Sequence, residues 1–196
     1  MVVDPNYLNL MRNILITLIF FFFLTQNVQA EQRDDELNSL FEKLKISNQS
    51  EVKEIENKIW KIWTTHPSTD RRGYRLTELL AQGDFLMTQR KFDRAYEIFS
   101  VIISTDPSWA EAWNKRATVL YLLGQYEASQ DDIDIVLKLE KRHFGALSGQ
   151  GLVQTELKNY EKALEGYTEA LKIYPLMEAA QTMIPFLKKK IKSDSI

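Results

Sequence analysis

The chain has 196 residues, with 25 Lys plus Arg against 27 Asp plus Glu, so no global basicity draws it to a nucleic-acid backbone or an anionic membrane surface. It contains no Cys, which excludes disulfides, thiolate metal sites, thiol nucleophiles and Cys lipidation. Gly and Pro are scarce, at 7 and 5, the helix formers Leu, Ala, Glu and Lys are common, and the length suffices for one domain with a real core.

Near the N-terminus, Arg12 precedes a mostly apolar run from Ile14 to Leu24, and Val28-Gln29-Ala30 comes after it. Eleven residues of helix span about 16 Å, roughly half the hydrocarbon core of a bilayer, which is the length of a signal-peptide h-region rather than of an anchor. Val28 and Ala30 are small residues at the two positions a signal peptidase reads. Residues 1–30 are therefore expected to be a signal peptide cleaved after Ala30, with Met11 standing where such a peptide would usually begin. A periplasmic or secreted location is the consequence, with no stable membrane anchor after cleavage.

Residues 31–63 carry two amphipathic patterns. Leu37, Leu40, Phe41 and Leu44 recur at helical spacing, as do Val52, Ile55, Ile59, Ile62 and Trp63, and Asn48-x-x-Glu51 between them suits a capping box. A helical hairpin is expected here, docked on the first of the repeated units that begin at residue 76, with Trp60 and Trp63 as packing anchors rather than a ligand platform. "TTHPSTDRRGYR", residues 64–75, reads as a linker.

From residue 76 the chain recurs at a shift of 34 residues. Position 8 of successive units is Gly83, Ala117 and Gly151, and position 20 is Ala95, Ser129 and Ala163. Position 17 is Phe92, Tyr126 and Tyr160, and position 24 is Phe99, Ile133 and Tyr167. Small matches small and large matches large, without a gap, across 76–109, 110–143 and 144–177. Each unit is expected to form two antiparallel helices. Gly124-Gln125-Tyr126 makes the turn between them, and Asp106-Pro107 and Tyr174-Pro175 stop second helices. One unit alone leaves an apolar face open, so the units must stack.

With Trp113, Pro107, Ala170 and Pro175 added, these residues resemble the tetratricopeptide repeat family over 102 of the 196 residues. The resemblance implies an all-α fold, an α-solenoid of three helix pairs with the N-terminal hairpin before it and a C-terminal capping helix and tail, 178–196, after it. Three features depart from the family pattern. Position 7, usually Leu, is Gln82, Arg116 and Gln150; position 11 of the last unit is Gln154; and Lys141 stands where Pro usually ends a unit. In the cap, Ala180, Met183, Ile184, Leu187 and Ile191 form one stripe, with Lys188, Lys189, Lys190 and Lys192 on a solvated face. Pro185 is expected to kink or delay that helix.

Chemistry finds little footing. His66 and His143 lie 77 residues apart with no further ligand at metal spacing, and no phosphate loop, nucleophile elbow or HExxH occurs. Asp131, Asp132 and Asp134 lack the Gly turn and terminal Glu of a calcium loop and are expected on a solvated face. His143 is expected to close the preceding helix C-terminus as a cation. No catalytic residue, metal, cofactor or nucleic-acid partner is expected.

In the family, positions 2, 5, 9, 12 and 13 of the first helices line a concave groove. Carried over residue by residue, the resemblance implies Thr77, Leu80, Asp84, Met87 and Thr88 in the first unit and Glu111, Asn114, Thr118, Tyr121 and Leu122 in the second. The third contributes Gly145, Ser148, Leu152, Thr155 and Glu156. This set holds three acids and no base. Family members that clamp a terminal carboxylate use Lys and Asn at positions 5 and 9, where this chain has Leu80 and Asp84, then Asn114 and Thr118. The expected function is an exported adaptor or scaffold holding a peptide or protein segment in the groove, by analogy in cell-envelope assembly. The alternative is a structural subunit of a fixed oligomer or complex that uses the hairpin or the convex face.

Overall fold

The computed structural model describes residues 35–194, and among them lie nine α-helices. In chain order these are α1 (Asp35–Ile46), α2 (Val52–Trp63), α3 (Arg71–Thr88), α4 (Phe92–Thr105), α5 (Ala110–Leu122), α6 (Tyr126–Leu139), α7 (Phe144–Glu156), α8 (Tyr160–Ile173) and α9 (Glu178–Asp194). The expected signal segment, residues 1–30, lies outside the described residues. Helices α3–α4, α5–α6 and α7–α8 pair and stack in chain order, and α9 closes the far end against α8, an all-α solenoid of three helix pairs.

Close approach within a pair is set by a small residue under a large one. A Cβ on Gly83 would run into the Phe99 ring, and one on Gly151 would lie 2.5 Å from the Tyr167 ring. The middle pair carries Ala117, and its position-24 residue is the aliphatic Ile133. Positions 8 and 24 are thus sized together, glycine under a ring and alanine under an aliphatic chain. Gly151→Ala alone is expected to destabilise by about 1–3 kcal/mol through overpacking. Gly151→Ala/Tyr167→Ile, which copies the middle pair, should cost less than the two single changes added together. Urea unfolding of the four proteins measures this coupling, and strict additivity would contradict it.

The turns inside the pairs recur with the same period. Arg90, Gly124 and Lys158 have φ of 56°, 74° and 60°. After each of them an N–H reaches back to the first helix, Lys91 to the Leu86 carbonyl, Gln125 to Leu120 and Asn159 to Gln154, at 2.8–2.9 Å. This is a Schellman closure, and only the middle turn uses the residue type that the left-handed conformation favours.

Two departures from the family pattern are polar contacts in the interior. Arg116 at position 7 donates through Nε and Nη2 to the two Asp132 oxygens, each at 2.8 Å, and its guanidinium lies over the Trp113 ring. Asp132 is therefore buried instead of solvated, while Asp131 and Asp134 are exposed as expected. Gln154 is buried too, donating to Gln130 and accepting from Asn159.

Several boundaries shift. Asp70 accepts from the Gly73 N–H at 2.7 Å and caps α3, so 71–75 are helical and the linker shortens to 64–70. Asn48 supplies its half of the capping box, its Oδ1 accepting from the Ser50 and Glu51 N–H groups, and α2 itself begins at Val52. Helix α9 starts at Glu178 without delay, runs through Pro185, and packs Ala180 and Leu187 against Ala163 and Tyr167.

The hairpin does not dock on the first pair. Its apolar face closes over Phe144 and Tyr174, so α1 and α2 lie against the third pair along the rim formed by the connections between units. Trp63 stacks on His143 with ring centroids 4.0 Å apart and planes 9° from parallel, and its carbonyl accepts the Trp109 indole N–H at 2.9 Å. The Trp60 ring sits where a Cβ on Gly145 would be 2.6 Å away. Arg142 donates to Asn38 at 2.7 Å and lies over the Phe41 ring. The reason is complementarity. Residues 143–145 offer rings beside bare backbone, whereas on the outer face of α3 the exposed Tyr74 and Phe85 are interleaved with Arg71, Arg75, Glu78 and Gln82, all exposed.

Candidate functional site

Helices α3, α5 and α7 are the first helices of the three pairs, and the expected groove residues on them divide into two halves. Toward the helix N-termini, Leu80, Glu111 and Asn114 are buried, and Thr77, Gly145 and Ser148 are half-buried. Leu80 belongs to the core of the first pair. Thr77 is engaged by the linker, its Oγ1 accepting from the His66 N–H at 3.0 Å.

Glu111 is the centre of a buried polar cluster. Its Oε2 lies 3.0 Å from His143 Nε2 and accepts from Asn114 Nδ2 at 3.1 Å, and its Oε1 faces Lys115 Nζ at 3.6 Å. His143 Nδ1 accepts from the Ala146 N–H at 3.0 Å, so the imidazole caps the start of α7. With Nδ1 accepting, the ring proton sits on Nε2 and points at Glu111. His143 is therefore a neutral N-cap, wholly buried under Trp63, and not a cation closing the helix before it.

The half of the groove toward the C-termini of α3, α5 and α7 is open. Thr88, Thr118, Leu122, Leu152 and Glu156 are exposed, with Asp84, Met87, Tyr121 and Thr155 half-buried among them. Tyr121 bridges two units: its ring centroid lies 5.6 Å from that of Tyr126, and its hydroxyl donates to Glu156 at 3.4 Å. Burial, and after it the Glu156 charge, push the Tyr121 phenol above its ordinary value.

One base stands in the groove that the position pattern did not include. Lys115, at position 6 of the second unit, reaches from α5 to Asp84 on α3 at 3.0 Å. Burial would lower the Lys115 ammonium, but the charges of Glu111 and Asp84 outweigh it and raise it. Burial lifts the Asp84 carboxyl even with Lys115 beside it. Two of the three expected groove acids are thus compensated internally, and Glu156 is the exposed one. The Glu111-x-x-x-Lys115 spacing was the available signal, because residues four apart are neighbours on a helix. For the hairpin packed at the third-unit end of the other half, the signal was Gly145, a glycine at a groove-lining position.

Among the described residues, no cluster of His, Asp or Glu is arranged to hold a metal ion, and no helix is long and apolar enough to cross a membrane. His66 is buried, with Nε2 2.9 Å from Asp106 Oδ2. Burial pushes the Asp106 carboxyl up, but hydrogen bonds from Ser108 and His66 outweigh it and hold it below the usual range.

No protein-family model matches the sequence. The chain is 31% identical over 173 residues to a TPR repeat-containing protein of Rhizobium etli, an alignment that covers 85% of this chain and 82% of that one. In shape it is similar to the first TPR of Spaghetti (RPAP3) bound to the HSP90 peptide SRMEEVD, with a TM-score of 0.59 at 20% identity over 60% of this chain and 93% of that one. It is also similar to MamA, residue 41 to the end, from Desulfovibrio magneticus RS-1, with a TM-score of 0.55 at 18% identity over 81% of this chain and 87% of that one.

Proposed function

Because the chain belongs to the tetratricopeptide repeat proteins, we propose that it is an exported, non-catalytic adaptor that holds a protein or peptide segment in the open half of its concave groove. The observation that carries this reading is the exposure of Leu122 (47%) and Leu152 (40%) beside Tyr121, on a face whose other half the chain covers itself. The RPAP3 domain of similar shape, bound to an HSP90 peptide, supports a peptide as occupant. The partner segment has apolar anchors and a neutral or basic character, matching Leu122, Leu152 and the exposed Glu156. It needs no free terminal carboxylate, since Leu80 and Asp84 stand where a clamp would require Lys and Asn. The hairpin's Trp60 and Trp63 are engaged inside the chain, which favours the groove over an assembly role for the hairpin.

Peptides selected from a random display library against the protein test this reading. Tyr121→Ala should weaken their binding by about 2 kcal/mol or more, since a large rigid aromatic supplies contact area at low entropic cost. Amidating the peptide C-terminus should change nothing. Undiminished binding by both Tyr121→Ala and Leu122→Ala, with helicity intact, would move the site out of the groove.

Export is part of the same proposal, and an envelope role is attached to it by analogy. The protein isolated from the producing cell is expected to begin at Glu31, as N-terminal sequencing would show. Recovery of intact Phe20–Phe23 in a soluble cytoplasmic fraction would refute export.

A further inference from the structure

Each inner unit stacks on its predecessor through the same two positions of its first helix. Position 3 is Ala112 in the second unit and Ala146 in the third, and position 10 is Val119 and Val153; all four are buried. Ala112 and Val119 lie in the core of the first pair, and Ala146 and Val153 in that of the second. In the first unit the same positions are Glu78 and Phe85, both exposed, Phe85 to 62%. Since the hairpin sits on the third pair, nothing among the described residues stacks on this leading face of α3. Tyr74 is 65% exposed on it, and Arg71, Tyr74, Arg75, Glu78, Leu79 and Gln82 line a shallow groove along the helix.

These six residues are complementary to themselves. A second copy turned about a two-fold axis crossing α3 between Leu76 and Thr77 runs antiparallel to the first. Arg75 then meets the partner's Glu78, Tyr74 the partner's Leu79, and Arg71 the partner's Gln82, and every contact occurs twice. Phe85, one turn beyond Gln82, extends the contact. Among the described residues neither Arg75 nor Glu78 has a salt bridge within the chain, so both are free to pair. A head-to-tail contact with α9 of one copy antiparallel to α3 of the next would instead set the exposed Lys188, Lys189, Lys190 and Lys192 near Arg71 and Arg75, like charge against like.

We infer that the chain forms a two-fold dimer through the outer faces of α3, which leaves both concave grooves open. The contact is one helix wide, at the low end of interface sizes, so the dimer is concentration-dependent. Sedimentation velocity on the protein as isolated from the producing cell, over a concentration series, tests this. A monomer–dimer equilibrium is expected. Arg75→Glu and Glu78→Arg should each weaken it by about tenfold or more, because each sets like charges face to face, and Arg75→Glu/Glu78→Arg together should restore it. Both side chains are exposed, so the fold tolerates the exchange. A monomer at every concentration would overturn the proposal. So would a dimer that the single changes leave intact, as association through residues 1–34 would give, or single changes whose combination fails to restore pairing.

Discussion

Trp63→Ala is expected to cost about 3–5 kcal/mol and to release the N-terminal hairpin from the solenoid. Trp63 is 1% exposed. Its ring stacks on His143 and packs against Phe41, Trp60 and Phe144 at centroid distances of 5.9, 5.2 and 5.0 Å, so one side chain joins α1, α2 and the start of α7. Truncation removes those contacts together, and the cavity is too central to the hairpin's apolar face for it to close over. The indole N–H itself has no hydrogen-bond partner among the described residues. Trp63→Phe therefore loses ring area but no hydrogen bond, and should cost markedly less than the alanine change. Urea unfolding gives the energies, and limited proteolysis in the 64–70 linker reports whether the hairpin has come away. Wild-type resistance to cleavage in Trp63→Ala would mean that the hairpin is held by something other than this cluster.

Arg116→Ala is expected to cost a comparable amount, about 3–5 kcal/mol, because it leaves the Asp132 carboxylate buried without its partner. The Asp132 side chain is 5% exposed and takes both 2.8 Å bonds of the guanidinium fork. Arg116 also loses its place over Trp113, at 4.9 Å from the ring centre. Arg116→Leu/Asp132→Leu removes both charges and restores the leucine usual at position 7. It should be near neutral or stabilising, since a desolvated ion pair contributes little over an apolar pair of similar volume. Thermal unfolding of the single and double variants separates the two outcomes. An Arg116→Ala protein as stable as the parent would show that Asp132 reaches water or a different donor.

The two halves of the groove differ in how far they could be foreseen. The recurrence of small and large residues at 34-residue spacing determined the three helix pairs, because Gly83 with Phe99, Ala117 with Ile133 and Gly151 with Tyr167 lie 16 residues apart on adjoining helices. Contacts so close in the chain leave a periodic trace. The open residues Tyr121, Leu122, Leu152 and Glu156 came from the groove positions that the family resemblance implies, carried onto the same register, since a position on a helix fixes its face. The hairpin's resting place left no such trace. The amphipathic pattern of Leu37, Phe41, Ile59 and Trp63 showed that an apolar face existed, but not what it met. That choice was decided by residues roughly a hundred positions away, where Phe144, Gly145 and Tyr174 offered a matching surface and α3 offered rings broken up by charges. The role of His143 was settled by the same docking and that of Lys115 by the stacking of α5 on α3, for the chemistry of a polar side chain depends on what is packed against it. Periodicity in the sequence by itself determined the stacked helix pairs, and the family resemblance implied which positions line the groove; only the tertiary structure decided which face the chain keeps for itself, because burial between segments far apart in sequence depends on shape and charge complementarity and has no period to read.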